Sequence, residues 1–365
     1  MQVLTTCQNC GKEFLVIKKE LNRGNGRFCS RKCSAAFGNM IRNKVWKKNL
    51  LSSQGKTLEI SDDFGHYISG LVDGEGSFII SFASKENQSY RTQVRFTFKL
   101  ELTKADDEIL KLIQNALLCG RIHYVKRKED NAQDACRFIV QSLAELNEVV
   151  IPFFDKFKLK SSKLLDYEIF KECLALYLNS DSADIARMIY QKRTSMNNGG
   201  NKSRKKLDIG EGMSQVNVVV QGKPHIYSGH YVSGLVDGEG CFSVIISRDS
   251  NYKAGIRVKL HFTVTLAAIN LKLLTTLKNY FGCGNIYYNK AEKAYVYSVQ
   301  SFKDNINRII PFFDRYPLRA KKRKDFAIYK EIANLIRVKR HLTEEGIAKI
   351  FALRAQMEER GINAY

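Results

Sequence analysis

Two segments of the chain repeat one pattern of glycines and carboxylates. GHYISGLVDGEGSF (65–78) recurs as GHYVSGLVDGEGCF (229–242), with 12 of 14 positions identical. The acids repeated within it are Asp73, Glu75, Asp237 and Glu239. We expect each pair to lie in the last turn of a helix, where the negative end of the helix dipole disfavours a carboxylate. If two such helices pack together, the four carboxylates meet, and that arrangement is costly unless divalent cations neutralise it.

Hard oxygen ligands of this kind suit Mg²⁺, and metal sites related by a two-fold axis suit in-line attack on phosphodiesters of two antiparallel strands. The alternative is that the acids are solvated groups at a helix end. One copy alone would favour that alternative, but the second copy, in a chain of formal charge +22, favours a metal site.

The glycines of the motif favour close packing of the two helices. Each glycine inside a helix costs roughly 1 kcal/mol relative to alanine. A spacing of four residues nevertheless recurs at Gly70 and Gly74 and again at Gly234 and Gly238. We therefore expect the helices to approach backbone to backbone about a pseudo-two-fold axis.

The repeat continues beyond the motif and defines two homologous units. CGRIHY (119–124) matches CGNIYY (283–288) at the motifs' own offset of 164 residues, whereas IPFFD recurs at an offset of 159. Five residues are thus missing from the second copy, where we predict a shortened hairpin turn. The predicted divisions are a cysteine module (1–36), a basic connector (37–60), the first unit (61–195), a flexible linker (196–224) and the second unit (225–365).

Within each unit the periodicity indicates helix, two strands, helix, two strands, helix. Polar and apolar residues alternate in RTQVRFTFKLEL (91–102), as in a strand with one buried face, and DDEILKLIQNAL (106–117) is typical of an amphipathic helix. The predicted fold class is α+β, a pseudo-two-fold pair of αββαββα units. Each unit would hold a four-stranded antiparallel sheet with one apolar and one polar face.

A separate cysteine pattern, C-x2-C-x18-C-x3-C, opens the chain. Its members are Cys7, Cys10, Cys29 and Cys33. Two close thiol pairs can supply a tetrahedral Cys₄ zinc site, and metal binding would provide most of the folding energy of so small a module. The module is basic, so it either contacts nucleic acid or serves as a structural cap. The remaining cysteines are expected to be inert thiols.

Net charge points to the class of partner. Lys and Arg number 59 and Asp and Glu 37 in 365 residues. This surplus disfavours small-metabolite enzymes and favours a polyanion, with nucleic acid first and an anionic membrane surface second. No apolar run approaches the ~20 residues that span a bilayer. Nine cysteines without a secretory signal argue against a disulfide framework, so we expect an intracellular protein.

The two SGLVDGEG segments resemble the motif of the LAGLIDADG homing endonucleases, and the resemblance covers roughly 61–365. Two copies in one chain resemble the monomeric members of that family. The resemblance implies two sheets that straddle the DNA major groove as a saddle, with one essential metal-binding acid per motif, Glu75 and Glu239. It implies a more structural role for the preceding aspartates and metal contacts from the carbonyls of Gly74 and Gly238. The family's basic residue near the scissile phosphates would be Lys160 and, in the second copy, Arg319. Arginine is a departure there, because it cannot shuttle a proton at neutral pH. The alternative, which the sequence alone favours, is that both are ordinary phosphate contacts.

On this interpretation the polar sheet faces read bases while lysines and arginines bind phosphates. The expected DNA contacts of the first unit are Ser77, Ile79, Ser81, Arg91, Gln93, Arg95, Thr97, Lys99, Arg121, His123, Arg137 and Gln141. Those of the second unit are Arg257, Lys259, His261, Thr263, Thr265, Asn285, Tyr287, Ser298, Gln300 and Arg319. Because the two sets differ, the target should not be palindromic.

We therefore predict a monomeric, intron-encoded, site-specific DNA endonuclease with two or more Mg²⁺ ions at the pseudo-dyad and one structural zinc. An RNA-binding splicing factor (intron maturase) and a non-catalytic DNA-binding regulator are the alternatives, and the presence of both motif acids disfavours each. Intron RNA remains open as a second partner. Composition is compatible with an organellar, viral or bacterial genome.

Overall fold

The computed structural model describes residues 2–19, 26–30, 32–33, 60–83, 93–127, 133–179, 184–196, 228–251 and 255–358. The chain divides into two compact units, Met1–Glu59 and Ile60–Tyr365. Arg91, nearly all of the predicted connector and nearly all of the predicted linker lie outside the described residues. Among the helices of the described ranges, none is both long and apolar enough to cross a membrane.

The N-terminal unit contains an antiparallel hairpin of β1 (Gln2–Thr6) and β2 (Glu13–Ile17). Its turn is closed by two backbone hydrogen bonds, from Cys7 N–H to the Lys12 carbonyl at 2.9 Å and from Gly11 N–H to the Cys7 carbonyl at 3.0 Å. Gly11 adopts φ +72°, a conformation that glycine reaches without steric cost. The chain therefore makes a tight turn that begins at Cys7, the first cysteine of the predicted metal site.

The first copy of the repeat has the predicted elements in their order, with one further short helix (Ile151–Lys156) that was not predicted. They are α1 (Asp62–Glu75), β3 (Gly76–Ala83), β4 (Gln93–Thr103), α2 (Asp107–Leu117), β5 (Arg121–Val125), β6 (Ala135–Val140), α3 (Ile151–Lys156) and α4 (Lys163–Asn179). A helix that the periodicity did not reveal, α5 (Ile185–Arg193), follows α4. The Ser61 hydroxyl accepts a hydrogen bond from Phe64 N–H at 3.3 Å, and this N-cap fixes where α1 begins.

The second copy repeats this order. Its elements are α6 (Gly229–Glu239), β7 (Gly240–Arg248), β8 (Ile256–Ala267), α7 (Leu271–Phe281), β9 (Asn285–Asn289), β10 (Ala294–Val299), α8 (Ile310–Arg315), α9 (Lys322–Arg337) and α10 (Glu344–Glu358). Nine residues (126–134) separate β5 from β6, but four (290–293) separate β9 from β10. The predicted deletion of five residues thus lies in this hairpin.

Each copy forms one four-stranded antiparallel sheet, in the order β3-β4-β6-β5 and β7-β8-β10-β9. Phe78 pairs with Phe98 across β3 and β4, and Phe242 pairs with Phe262 at the equivalent place in the second sheet. The ring centroids of these pairs are 5.2 and 5.0 Å apart, and all four rings are buried against the helices. The predicted α+β class and the assignment of the apolar sheet faces are confirmed.

Helices α1 and α6 pack on each other between the two apolar cores. Along β4, Val94, Phe96 and Phe98 are at most 5% exposed, whereas the residues between them lie on the opposite face of the sheet. The fold thus places two polar sheet faces on either side of one helix pair. The ends of that pair carry the motif acids.

Candidate active site

Reciprocal glycine contacts join α1 and α6. A Cβ on Gly70 would overlap the carbonyl oxygen of Tyr231, and a Cβ on Gly234 would overlap the carbonyl oxygen of Tyr67. Only glycine permits so close an approach of two backbones. These two matched contacts relate the helices by a pseudo-two-fold axis, and they bring the carboxyl ends of both helices together.

Asp73, at the end of α1, is buried and accepts four hydrogen bonds. Its Oδ1 accepts from the Ser161 N–H at 3.2 Å and from the Ser161 hydroxyl at 2.5 Å. Its Oδ2 accepts from the Lys160 N–H at 2.7 Å and from the Tyr231 hydroxyl at 2.6 Å. Burial raises the pKa of Asp73, and these donors partly offset that effect. The side chain ties α1 to the loop before α4 and to the partner helix, which is the structural role that the resemblance implied.

Asp237 has the same place in the second copy but one side-chain donor fewer. Its Oδ2 accepts from the Tyr67 hydroxyl at 2.7 Å, the Arg319 N–H at 2.7 Å and the Ala320 N–H at 3.1 Å. Ala320 stands where the first copy has Ser161, so no hydroxyl reaches Oδ1, and that buried atom has no hydrogen-bond partner in the described part of the chain. Burial raises the pKa of Asp237 as well.

Glu75 and Glu239 lie on either side of the helix crossing. A Cβ on Gly74 would be 3.2 Å from Cγ of Glu239, and one on Gly238 would be 3.3 Å from Cγ of Glu75. Burial raises the pKa of both glutamates, and the charge of Glu75 raises the pKa of Glu239 further. The two carboxylates therefore form one electrostatically linked centre, in which a nearby cation is favourable.

Two partly buried lysines, which the sequence patterns did not single out, supply positive charge to this centre. Lys163, the first residue of α4, donates its ammonium to the carbonyl of Val72 at 3.2 Å and to that of Gly74. Lys322, the first residue of α9, makes the equivalent bond to Gly238. Burial lowers the pKa of both ammonium groups. Both lysines lower the pKa of the two glutamates.

The offset of 159 residues that relates the two lysines was readable in the sequence. It could have identified them as a repeated pair, although not their contact with the motif carbonyls. The predicted pair, Lys160 and Arg319, lies three residues earlier in each copy. The Lys160 ammonium is 5.4 Å from the ring centroid of Tyr231, and the Arg319 guanidinium is 5.1 Å from that of Phe64.

Most of the predicted DNA-contacting residues that the structure describes lie on the polar sheet faces. Gln141 and Gln300 directly follow β6 and β10, and Arg319 lies in the loop between α8 and α9 with its guanidinium over the ring of Phe64. Ser77, Ile79 and Ser81 alternate with buried positions along β3, and Lys259, His261 and Thr263 do so along β8, as partly accessible side chains. The side chain of Gln93 lies outside the described residues, as Arg91 does. 

Ser298 differs from this expectation. It is only 7% exposed, and its hydroxyl shares a hydrogen bond of 2.8 Å with Nε2 of His261. Because the neighbouring strands cover it, Ser298 orients the imidazole rather than offering a free hydroxyl to a base. Burial lowers the pKa of His261, which favours the neutral ring.

One carboxylate, Glu101, stands among the cations of the first polar face. It accepts hydrogen bonds from Lys99 at 2.9 Å, from Arg137 at 2.9 and 3.3 Å and from Arg127 at 3.3 Å. Burial alone would raise its pKa, but the bonds from Arg137 and Lys99 outweigh burial and lower the pKa to about 2. Glu101 and Glu75 line the same cavity of about 480 Å³.

In the N-terminal unit, the ligand sulfurs of Cys7, Cys10, Cys29 and Cys33 lie within 4.8 Å of one another. The backbone N–H of Gln8 donates to the Arg27 carbonyl at 3.0 Å and so holds the two halves of the cluster together. Four thiols at this spacing could hold a metal ion, and sulfur ligands are typical of structural zinc sites.

Comparison with known families identifies the repeated units. The family model described as "LAGLIDADG endonuclease" matches residues 68–174 and 232–333, which contain most of both copies. "Probable intron-encoded endonuclease 2" of Neurospora crassa is 30% identical over 298 residues, which are 79% of this chain and 64% of the relative. The "Uncharacterized cox1 intron-2 37.2 kDa protein" of Schizosaccharomyces pombe is 24% identical over 322 residues, 85% of this chain and 78% of the relative. The chain spans 64% and 52% of the lengths of the two Neurospora crassa relatives that it matches.

Solved structures give the same result. The homing endonuclease I-LtrWI bound to its target DNA superposes with a TM-score of 0.71 at 28% identity, covering 82% of this chain and 99% of that one. I-SmaMI bound to an uncleaved DNA target with calcium ions superposes with a TM-score of 0.69 at 26% identity, covering 80% and 98%. With the family model matching both repeats and the fold shared over the whole of these structures, the chain belongs to the LAGLIDADG endonuclease family.

Proposed function

We propose that this chain is a site-specific endonuclease that hydrolyses both strands of DNA at a long, non-palindromic target with the help of divalent metal ions. The observation that carries the proposal is the meeting of Glu75 and Glu239 at the glycine-paired helix ends, between two polar sheet faces. The DNA-bound structures of I-LtrWI and I-SmaMI support double-stranded DNA as the substrate.

The residues at the helix ends fit divalent ions. Carboxylate and carbonyl oxygens collect there, and the carbonyls of Gly74 and Gly238 accept hydrogen bonds from ammonium groups, which a metal ion bound to the same oxygens would displace. We assign two or more Mg²⁺ ions to Glu75, Glu239 and these two carbonyls, because hard oxygen donors suit Mg²⁺. Bound there, the metal would polarise the scissile phosphate and activate water for in-line attack.

The protein's own residues would organise and stabilise that reaction. Asp73 and Asp237 hold the two helix ends through their hydrogen bonds, so the glutamates are fixed before DNA arrives. Lys163 and Lys322 would place positive charge where negative charge develops on the phosphate. Because both lysines are partly removed from solvent, this charge has a larger effect than it would have in bulk water. Lys160 and Arg319 we propose as phosphate contacts.

Target recognition is assigned to the two polar sheet faces. Strands β4 and β8 hold 11 and 12 residues, and at ~3.3 Å per residue each can follow a half-site of roughly ten base pairs. The first face presents Arg95, Thr97 and Lys99, whereas the second presents Lys259, His261 and Thr263. Because one chain supplies both different faces, we propose that it binds as a monomer.

The N-terminal unit is proposed to bind one structural zinc ion through Cys7, Cys10, Cys29 and Cys33. The proximity of the four sulfurs supports this assignment. Metal would stabilise a unit whose hairpin has little apolar core of its own.

We further propose that the gene lies within an intron of an organellar genome. The names of the two relatives described above refer to introns, in one case to intron 2 of cox1. A splicing factor that binds intron RNA stays the second candidate function, but no observation on the described residues favours it over DNA cleavage.

Selection of cleaved sites from a randomised duplex library tests the proposed function. We expect recovery of one long asymmetric site with Mg²⁺ and of none with EDTA. Retention of a specific duplex without cleavage would instead identify a DNA-binding regulator. Specific binding of intron RNA without cutting of any duplex would favour the splicing factor.

A further inference from the structure

The polar face of the first sheet carries a charge cluster that has no equivalent among the described residues of the second sheet. We call Lys99, Glu101, Arg127 and Arg137 the Glu101 cluster. Three cations converge on one carboxylate, whose side chain is 21% exposed, while those of Lys99 and Arg137 are 27% and 35% exposed. An acid on a surface that must approach phosphate is unfavourable by itself, so its presence calls for a role.

The repeat allows the residues of the Glu101 cluster to be compared with their counterparts in the second copy. The offsets of 164 and 159 residues place Thr265 at the position of Glu101, Thr263 at that of Lys99 and Val296 at that of Arg137. The register agrees, since Glu101 pairs with Arg137 in the first sheet and Thr265 pairs with Val296 in the second. All three counterparts are uncharged.

The cluster lies at the catalytic end of its sheet. Strand β3 starts directly after Glu75, and Lys99 pairs with Ser77, the second residue of that strand. Glu101, Lys99 and Arg127 line the cavity of about 480 Å³ that Glu75 and Lys322 also line. The negative charge of Glu101 raises the pKa of Glu75. Residues farther along β4, such as Arg95, lie toward the outer end of the half-site.

Holding three long cationic side chains in place changes what they can do. A free lysine or arginine loses rotamer freedom when it binds a phosphate, and that loss subtracts from affinity. Side chains already held by Glu101 lose less. With three cations and one anion, the cluster keeps a net positive charge and still attracts DNA.

Resting on the proposed function, we propose that Glu101 is a positioning residue that holds Lys99, Arg127 and Arg137 as a fixed phosphate-binding platform beside Glu75. The platform gives the first half-site the tighter hold on its scissile phosphate. The two strands are therefore cut in a fixed order, beginning with the strand whose scissile phosphate lies in the half-site read by the first unit.

The test is single-turnover cleavage of a duplex that carries a different fluorophore on each strand. The half-site of the first unit is identified as the one in which Arg95→Ala relaxes sequence preference. We expect the wild-type protein to nick the first-unit strand before the other. Glu101→Gln should slow that strand by about tenfold, because binding the phosphate must then order side chains that Glu101 no longer holds, and it should leave the other strand nearly unchanged.

Glu148→Gln is the matched control, since it removes one negative charge from an exposed site in the helical turn before α3. Affinity for non-specific DNA should stay equal or rise in both variants, because each gains net positive charge. Both variants lose one negative charge. If only Glu101→Gln slows cutting of the first strand, the effect comes from the position of Glu101 and not from the change in net charge. A triple variant, Thr263→Lys with Thr265→Glu and Val296→Arg, should reduce the difference between the strands.

Equal cutting rates for both strands by the wild-type protein would overturn the proposed role of Glu101 and leave the proposed function intact. Equal slowing of both strands by Glu101→Gln would show a merely structural role. A changed preference at one base pair with the strand order intact would make Glu101 a direct base contact and also overturn it. If the wild-type protein cuts no duplex, the proposed function falls and this inference falls with it.

Discussion

Tyr67 donates its hydroxyl to Oδ2 of Asp237 at 2.7 Å, across the axis that relates the two motifs. Tyr231 makes the reciprocal bond to Asp73 at 2.6 Å. Each motif therefore completes the hydrogen bonding of the buried acid in the other. The pairing joins the two units through polar contacts as well as through glycine packing, and it fixes the ends from which the glutamates project.

The two tyrosine bonds should differ in their contribution to stability. Without its tyrosine, Asp73 keeps three hydrogen bonds, whereas Asp237 keeps two and has an Oδ1 that no described residue contacts through a hydrogen bond. We expect Tyr67→Phe to lower the free energy of unfolding by about 2–3 kcal/mol and Tyr231→Phe by about 1 kcal/mol, since a poorly satisfied buried charge is the more costly. Urea unfolding of both variants measures this. The reverse ranking would contradict the account of the two acids.

The glycine contacts predict that one added methyl group destabilises the protein much more at Gly70 than at Gly74. In Gly70→Ala the new Cβ would meet the backbone carbonyl of Tyr231, so the helices must separate. In Gly74→Ala the nearest atoms are 3.2 Å away. We expect Gly70→Ala to lower stability by about 3 kcal/mol or more, because overpacking against backbone cannot relax easily, and Gly74→Ala to cost clearly less. Thermal melting of the pair gives the comparison, and equal melting temperatures would contradict close helix packing.

The cysteine cluster predicts one zinc ion per chain. Cys29→Ser with Cys33→Ser should remove that ion, because two of four ligands are lost. Cys241→Ser, which changes an exposed cysteine outside the cluster, should retain it. Elemental analysis of the three purified proteins decides the matter. A wild-type protein without zinc would contradict the assignment.

The pKa of Glu101 predicts a pH dependence of stability. Its pKa is about 2 in the folded protein and about 4.3 in an unfolded chain. A depressed folded-state pKa contributes stability above the unfolded value, and that contribution is lost as the pH falls toward the folded value. The difference in melting temperature between wild type and Glu101→Gln should therefore be constant from pH 7 to 5 and shrink below about pH 4.3. A difference that grows on acidification would contradict the ion-pair cluster.

Local patterns in the sequence predicted much of the fold. The alternation along β4 and β8 predicted strands with one polar face, and the change of offset located the shortened hairpin. Such signals work because a strand repeats every two residues whatever lies beyond it. Helix α5 was missed because it follows the repeated segments and buries only Ile189, so it shows little apolar periodicity.

The less predictable features all depend on contacts between distant residues. From the sequence alone, Lys163 would be expected to be a solvated residue at the start of a helix. Its contact with the end of α1 becomes evident only in the folded structure. The bond from Tyr67 to Asp237 spans 170 positions and exists only because the helices cross at their glycines. Glu101 looked like one more member of a polar face, and its role depends on Arg137 from a neighbouring strand.

In the proposed mechanism, the paired motif glutamates are the catalytic metal ligands. The most direct measurement is cleavage of the selected target by Glu75→Gln and Glu239→Gln, together with duplex affinity in Ca²⁺. Glutamine keeps the shape of the side chain but removes one ligand charge. We predict that either change abolishes double-strand cleavage, with slow nicking at most, while affinity stays equal or rises as repulsion of phosphate is relieved. Cleavage at wild-type rates by both variants would contradict the account.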